Sequence, residues 1–94
     1  MRNEHSRLCI DVNAMSQADG ANVIQFTCNG GRNQHWSFTD VAPGVERVTA
    51  QHSGKVMDVF ARGAADGTPV VQFTSNSQTN QQFRFDKAVA PLVP

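Results

Sequence analysis

The 94-residue sequence has no tyrosine, one tryptophan and only two cysteines. Charged residues make up 17% of it, and eight lysines and arginines against eight aspartates and glutamates leave no net charge. Nucleic acid and anionic membrane surfaces select a basic excess, so this balance argues against either as the main partner. No apolar run approaches the roughly 18 residues that a membrane-spanning helix needs, which argues against membrane insertion. The opening Met1-Arg2-Asn3-Glu4-His5-Ser6 lacks the apolar stretch of a signal peptide. Two cysteines are too few for a four-thiolate metal site, and Cys9 and Cys28 do not form a C-x-x-C pair. One disulfide and two free thiols both stay open at this point. His5, His35 and His52 lack metal-ligand spacing, Gly30-Gly31 is not part of a phosphate loop, and no calcium loop follows Asp11. No metal or cofactor is implied.

What is present is a chain able to fold, with a 39% hydrophobic share and one domain's length. Its most informative feature is internal repetition. Displaced by 47, half of its 94 residues, the sequence matches itself without a gap at 16 positions. His5-Ser6 falls on His52-Ser53, Asp11-Val12 on Asp58-Val59, and Ala14 on Ala61. Ala18-Asp19-Gly20 falls on Ala65-Asp66-Gly67, Val23 on Val70, and Gln25-Phe26-Thr27 on Gln72-Phe73-Thr74. Asn29 falls on Asn76, Asn33-Gln34 on Asn80-Gln81, and Phe38 on Phe85. Residues 1–94 therefore read as one domain of two repeats, 1–47 and 48–94.

Each repeat reads as short strands between turns. Leu8 to Val12 alternates apolar and polar residues, and Val23 to Cys28 is β-rich and alternates again. Asp19-Gly20 and the Asn29 to Asn33 cluster are turn signals, and Trp36 to Phe38 is a third strand. The second repeat gives strands at Lys55 to Val59, Val70 to Thr74 and Phe83 to Phe85, and Val45 to Ala50 adds one between the copies. No helical stripe stands out, so the expected class is all-β. Trp36, Phe38, Phe83 and Phe85 are expected in the core.

These residues resemble the ricin-B-type β-trefoil lectins, also classed as family-13 carbohydrate-binding modules. The family repeat has a C-L-D-V-like strand, a D-G turn, a V-Q-x-W-x-C-like strand and a closing N-Q-x-W. The first repeat supplies Cys9-Ile10-Asp11-Val12, Asp19-Gly20, Val23-Ile24-Gln25-Phe26-Thr27-Cys28 and Asn33-Gln34-His35-Trp36. The second supplies Val56-Met57-Asp58-Val59, Asp66-Gly67, Val70-Val71-Gln72-Phe73-Thr74-Ser75 and Asn80-Gln81-Gln82-Phe83. The sequence departs from the family at Phe83, at the two phenylalanines standing where tryptophan or tyrosine is usual, and in holding two repeats where a trefoil has three.

The resemblance implies a Cys9–Cys28 disulfide, which also fits the joint absence of both cysteines from the second repeat. With that bridge, strand alternation puts Asp11 near Phe26. A carboxylate beside an aromatic ring suits a sugar, taking hydroxyl hydrogen bonds on one side and covering a C–H face on the other. The resemblance implies sugar contacts from Asp11, Phe26 and Asn33, with Gln34 steadying the aspartate, and from Asp58, Phe73, Asn80 and Gln81 in the second repeat. The expected function is carbohydrate binding without catalysis, one shallow galactose- or pentose-type site per repeat, with galactose-, lactose- or xylose-containing glycans as partners. An accessory module of a secreted glycoside hydrolase and a sugar-inactive scaffold for protein contact are the alternatives. The expected location is extracellular. Two repeats leave two open edges, so a symmetric homo-oligomer (dimer or trimer) or a third repeat on a longer parent is expected. The apolar segment 88–94 is suited to cover one edge.

Overall fold

The computed structural model describes residues 1–85. They form seven strands: β1 Cys9–Val12, β2 Val23–Phe26, β3 Trp36–Ala42, β4 Val45–Ala50, β5 Val56–Val59, β6 Val70–Phe73 and β7 Phe83–Arg84. Single 3₁₀ turns follow β1, precede β3, follow β5 and precede β7, at Asn13–Met15, Arg32–Gln34, Phe60–Arg62 and Thr79–Gln81. The fold is all-β and of β-trefoil type, as the sequence indicates. Segment 88–94 lies outside the described residues.

β1 and β2 pair antiparallel with Cys9 opposite Phe26 and Asp11 opposite Ile24. β5 and β6 pair in the same register, Val56 opposite Phe73 and Asp58 opposite Val71. β3 and β4 form the longest hairpin, turning at Pro43-Gly44, where Gly44 takes φ 76°. A proline fixes the entry to that turn and a glycine supplies its left-handed residue. β4 also meets β5 at Thr49–Val56 and β7 at Val45–Arg84, which joins the later strands into one sheet.

The apolar core is small. The buried apolar side chains are Val12, Val48, Ala50, Val56, Met57 and Val71, and as many buried residues are polar: Asp11, Asn33, Gln34, Asp58, Gln72 and Gln81. An interior of this composition is stable only if those polar groups are hydrogen-bonded. Phe38 and Phe85, expected in the core, are instead half exposed and pack edge to face, with ring centroids 5.4 Å apart. Among the described residues no further layer covers that face, so the two rings shield each other.

The β1–β2 and β5–β6 hairpins meet at a polar seam. Gln72 Nε2 donates to the carbonyls of Ser16 (2.7 Å) and Ala18 (2.9 Å). His52 Nε2 donates to Ser16 O at 2.8 Å. Gly20 N donates to Gln72 O, and Gln72 N to Ala21 O, at 2.8 and 2.9 Å. The Asp19 carboxylate accepts from both the amide and the hydroxyl of Thr74, each at 2.9 Å.

Cys9 and Cys28 form a disulfide. It clamps the start of β1 to the segment just beyond β2 and closes a loop of 19 residues' separation. Loop-closure entropy makes such a bond worth about 3 kcal/mol. The Cys9→Ser/Cys28→Ser variant is expected to lose about that much stability in urea unfolding, with its strand content unchanged by circular dichroism below the transition.

Candidate functional site

Asp11 leaves β1 on the face that it shares with Cys9 and, across the hairpin, with Phe26. Asp11 as a residue is 3% exposed, and one side chain holds its carboxylate. Gln34 Nε2 donates to Asp11 Oδ2 and to Thr27 O, both at 2.9 Å. Gln34 Oε1 accepts from Asn29 N at 3.0 Å. One buried amide thus ties β1, the end of β2 and the turn after it. The bonds within the described residues use Oδ2 of Asp11 and leave Oδ1 without a protein partner.

Asn33, next to Gln34 in the same 3₁₀ turn, donates Nδ2 to Val12 O at 3.0 Å. Its amide oxygen lies over Gly31, where a Cβ would come within 2.6 Å of it. Asp11, Phe26, Asn33, Gly31, Asn29 and the Asn13–Met15 turn line one open cleft of about 560 Å³. Phe26 stands 51% exposed at its side and is not a core residue.

The second set is built alike. Gln81 Nε2 donates to Asp58 Oδ2 (2.9 Å) and Thr74 O (3.0 Å), and Gln81 Oε1 accepts from Asn76 N at 2.9 Å. Asn80 Nδ2 donates to Val59 O at 3.2 Å, and Phe73 is 38% exposed. The surroundings differ. Phe60, Arg62 and Gln78 stand where the first set has Asn13, Met15 and Gly31. Asn80 Oδ1 is buried without a hydrogen-bond partner among the described residues, a poor state for an amide oxygen.

Over residues 1–73 the sequence matches the family described as ricin-type beta-trefoil lectin domain-like. The chain belongs to that family. Membership supports carbohydrate binding in general. No curated protein matches the sequence. Among solved structures, this ricin-type domain is similar to ThreeFoil, a designed 3-fold symmetric protein, at 41% identity and TM-score 0.87 over 88% of the chain. It is similar at 38% identity and TM-score 0.86, again over 88% of its length, to an exo-beta-1,3-galactanase from Clostridium thermocellum. The Polyporus squamosus lectin, at 22% identity and TM-score 0.74 over 86% of the chain, shares the fold. The domain spans 59% of the designed protein, 18% of the galactanase and 28% of the lectin.

Sequence reasoning missed the cleft's rim. Ala14 and Met15 both adopt left-handed backbone, φ 56° and 54°, and line the cleft beside Asn13. Ala61 and Arg62 repeat that conformation at φ 52° and 58°. Such residues cost about 1–2 kcal/mol each, and nothing in their side-chain types announces the turn. Asn29 was detectable, since it recurs as Asn76.

Replacing Gln34 by alanine strands the Asp11 carboxylate and the Asn29 amide together. Gln34→Ala is therefore expected to destabilise the domain by roughly 2–3 kcal/mol in urea unfolding. A loss below about 0.5 kcal/mol would show that the amide does not hold this segment.

Proposed function

We propose that the domain binds neutral sugars of galactose or pentose type, without catalysis, through the Asp11 cleft and secondarily through its counterpart at Asp58. The observation that carries this reading is the Asp11 carboxylate. One oxygen is fixed by Gln34 and the other is free, beside an exposed phenyl face and an asparagine amide. A fixed carboxylate accepts two hydroxyl bonds, the ring covers a C–H face, and Asn33 adds a third polar point. In this reading Asp11, Phe26 and Asn33 touch the sugar and Gln34 positions the aspartate. Asp58, Phe73, Asn80 and Gln81 take the same roles in the second set. Asp11 and Asp58 belong to different hairpins and each is engaged by its own glutamine, which fits binding better than two-carboxylate hydrolysis.

The open cleft favours weak binding per site, strengthened where several sites engage one glycan. Galactose-, lactose- and xylose-containing glycans are the partners this chemistry fits, and the disulfide fits an extracellular setting. A second reading keeps the same site and makes the domain an accessory module of a larger carbohydrate-active protein. The likeness to part of the galactanase supports it.

Titration calorimetry against galactosides and xylo-oligosaccharides tests the assignment. Asp11→Asn keeps the side chain's shape and removes its charge, so affinity is expected to fall tenfold or more, in line with about 1.5–3 kcal/mol for a charged hydrogen bond. Asp11→Asn/Asp58→Asn is expected to abolish binding. Undiminished binding by the double variant would overturn the assignment.

A further inference from the structure

The loop before β7 differs from its counterpart in the first repeat in one consistent direction. Where the first repeat has Cys28, Gly30, Gly31 and His35, the second has Ser75, Ser77, Gln78 and Gln82. Two hydroxyls and two amides thus stand in place of a half-cystine, two glycines and an imidazole. Those four residues line one cleft of about 220 Å³, together with Arg47 of β4 and Val41 of β3. Pockets for drug-sized ligands run to roughly 300–1,000 Å³, so this one suits a single small group.

The loop is framed without those side chains. Asn76 N donates to Gln81 Oε1 at 2.9 Å, and Gln78 N donates to Asn76 Oδ1 at 3.0 Å. Among the described residues no hydrogen bond engages the side chains of Arg47, Ser75, Ser77, Gln78 or Gln82. The ion pairs among them, Arg2–Glu4 and Lys55–Asp19, leave the half-buried Arg47 without a counter-ion. Arg47 stands opposite Thr39 of β3, and the β4–β7 register carried one step on sets Gln82 beside it. Strand alternation turns Glu46 and its partner Asp40 to the other side of the sheet. Arg84, opposite Val45, adds a second cation on the side of Arg47. Ser77 takes φ 64° where Gly30 takes 76°. A serine in left-handed backbone is strained where a glycine is not, and such strain collects at ligand sites.

We propose that this cleft binds an oxyanion, a sulfate or carboxylate group, between the Arg47 guanidinium and the Ser75 and Ser77 hydroxyls. The planar guanidinium presents paired N–H donors that match two oxygens of such a group. The serine hydroxyls and the Gln78 and Gln82 amides supply neutral donors around it. A cationic ligand would be repelled by Arg47 and Arg84. Acidic sugars and free inorganic anions both carry this chemistry. The site uses none of Asp11, Phe26, Asn33 or Asp58, so it stands whether or not those residues bind a sugar.

Titration of the full chain with sodium sulfate at constant ionic strength, followed by two-dimensional NMR, tests it. Sulfate is expected to shift the Arg47 Nε–H and the Ser77 amide saturably. Arg47→Gln removes the charge and is expected to weaken sulfate binding about tenfold or more. Ser77→Gly removes a hydroxyl and relieves the backbone. It is expected to weaken sulfate binding about threefold without lowering the urea midpoint, a separation that a purely structural serine would not give. Glucuronate and galactose 6-sulfate identify the source of the group. Binding tighter than that of acetate and inorganic sulfate assigns the site to acidic glycans, and equal binding assigns it to the free anion. Arg47 and Ser77 resonances that sulfate leaves unmoved overturn the proposal, and so does undiminished sulfate binding by Arg47→Gln.

Discussion

A buried glutamine amide is the constraint on which the rest of this molecule depends. Among the described residues, six buried apolar side chains cannot by themselves hold seven short strands, and as many buried residues are polar. Gln34 resolves this by using both ends of its amide, donating to Asp11 and Thr27 and accepting from Asn29. Gln81 does the same for Asp58, Thr74 and Asn76. Inside a protein such a network is strong when complete and costly when broken. The same bonds also fix the aspartate that faces the cleft. Folding and the proposed recognition therefore draw on one set of hydrogen bonds, so damage to the glutamine would reach both.

With the frame held by the glutamine, the rim is free to differ. Two strained left-handed residues follow each first strand, and in the first set they help shape the cleft wall. Asn13, Met15 and Gly31 give the first set an open, mixed rim. At the matching positions the second set has the bulkier Phe60, Arg62 and Gln78, one of them a cation. Gly31 matters for a specific reason: a Cβ there would come within 2.6 and 2.9 Å of the Asn33 and Asn29 amide oxygens, so those amides would have to shift. One scaffold thus presents two unequal surfaces.

The strands and the placing of Asp11 and Phe26 on one face were legible because alternation is local and because each copy corroborates the other. The disulfide was legible from two cysteines that vanish together from the second copy. Phe38 and Phe85 were misplaced because an aromatic in a strand reads as core, and only the tertiary arrangement shows that their face lacks a covering layer. The 3₁₀ turns after β1 and β5 were illegible because Ala14, Met15, Ala61 and Arg62 carry no turn chemistry. Asp19 read as a turn former, and its carboxylate does more, since it binds Thr74 of the other hairpin. Long-range partners of that kind are invisible to spacing.

The central claim is that the glutamine-held aspartate, the phenyl ring and the asparagine amide act together on a sugar. Side-chain amide resonances of Asn33 and Gln34 observed by two-dimensional NMR during titration with galactose or xylose test it most directly. The account predicts saturable shifts of the Asn33 amide and of the Phe26 ring protons, with Gln34 moving less because its amide is already fully bonded. Saturable shifts elsewhere on the domain with Asn33 and Phe26 unmoved would contradict it.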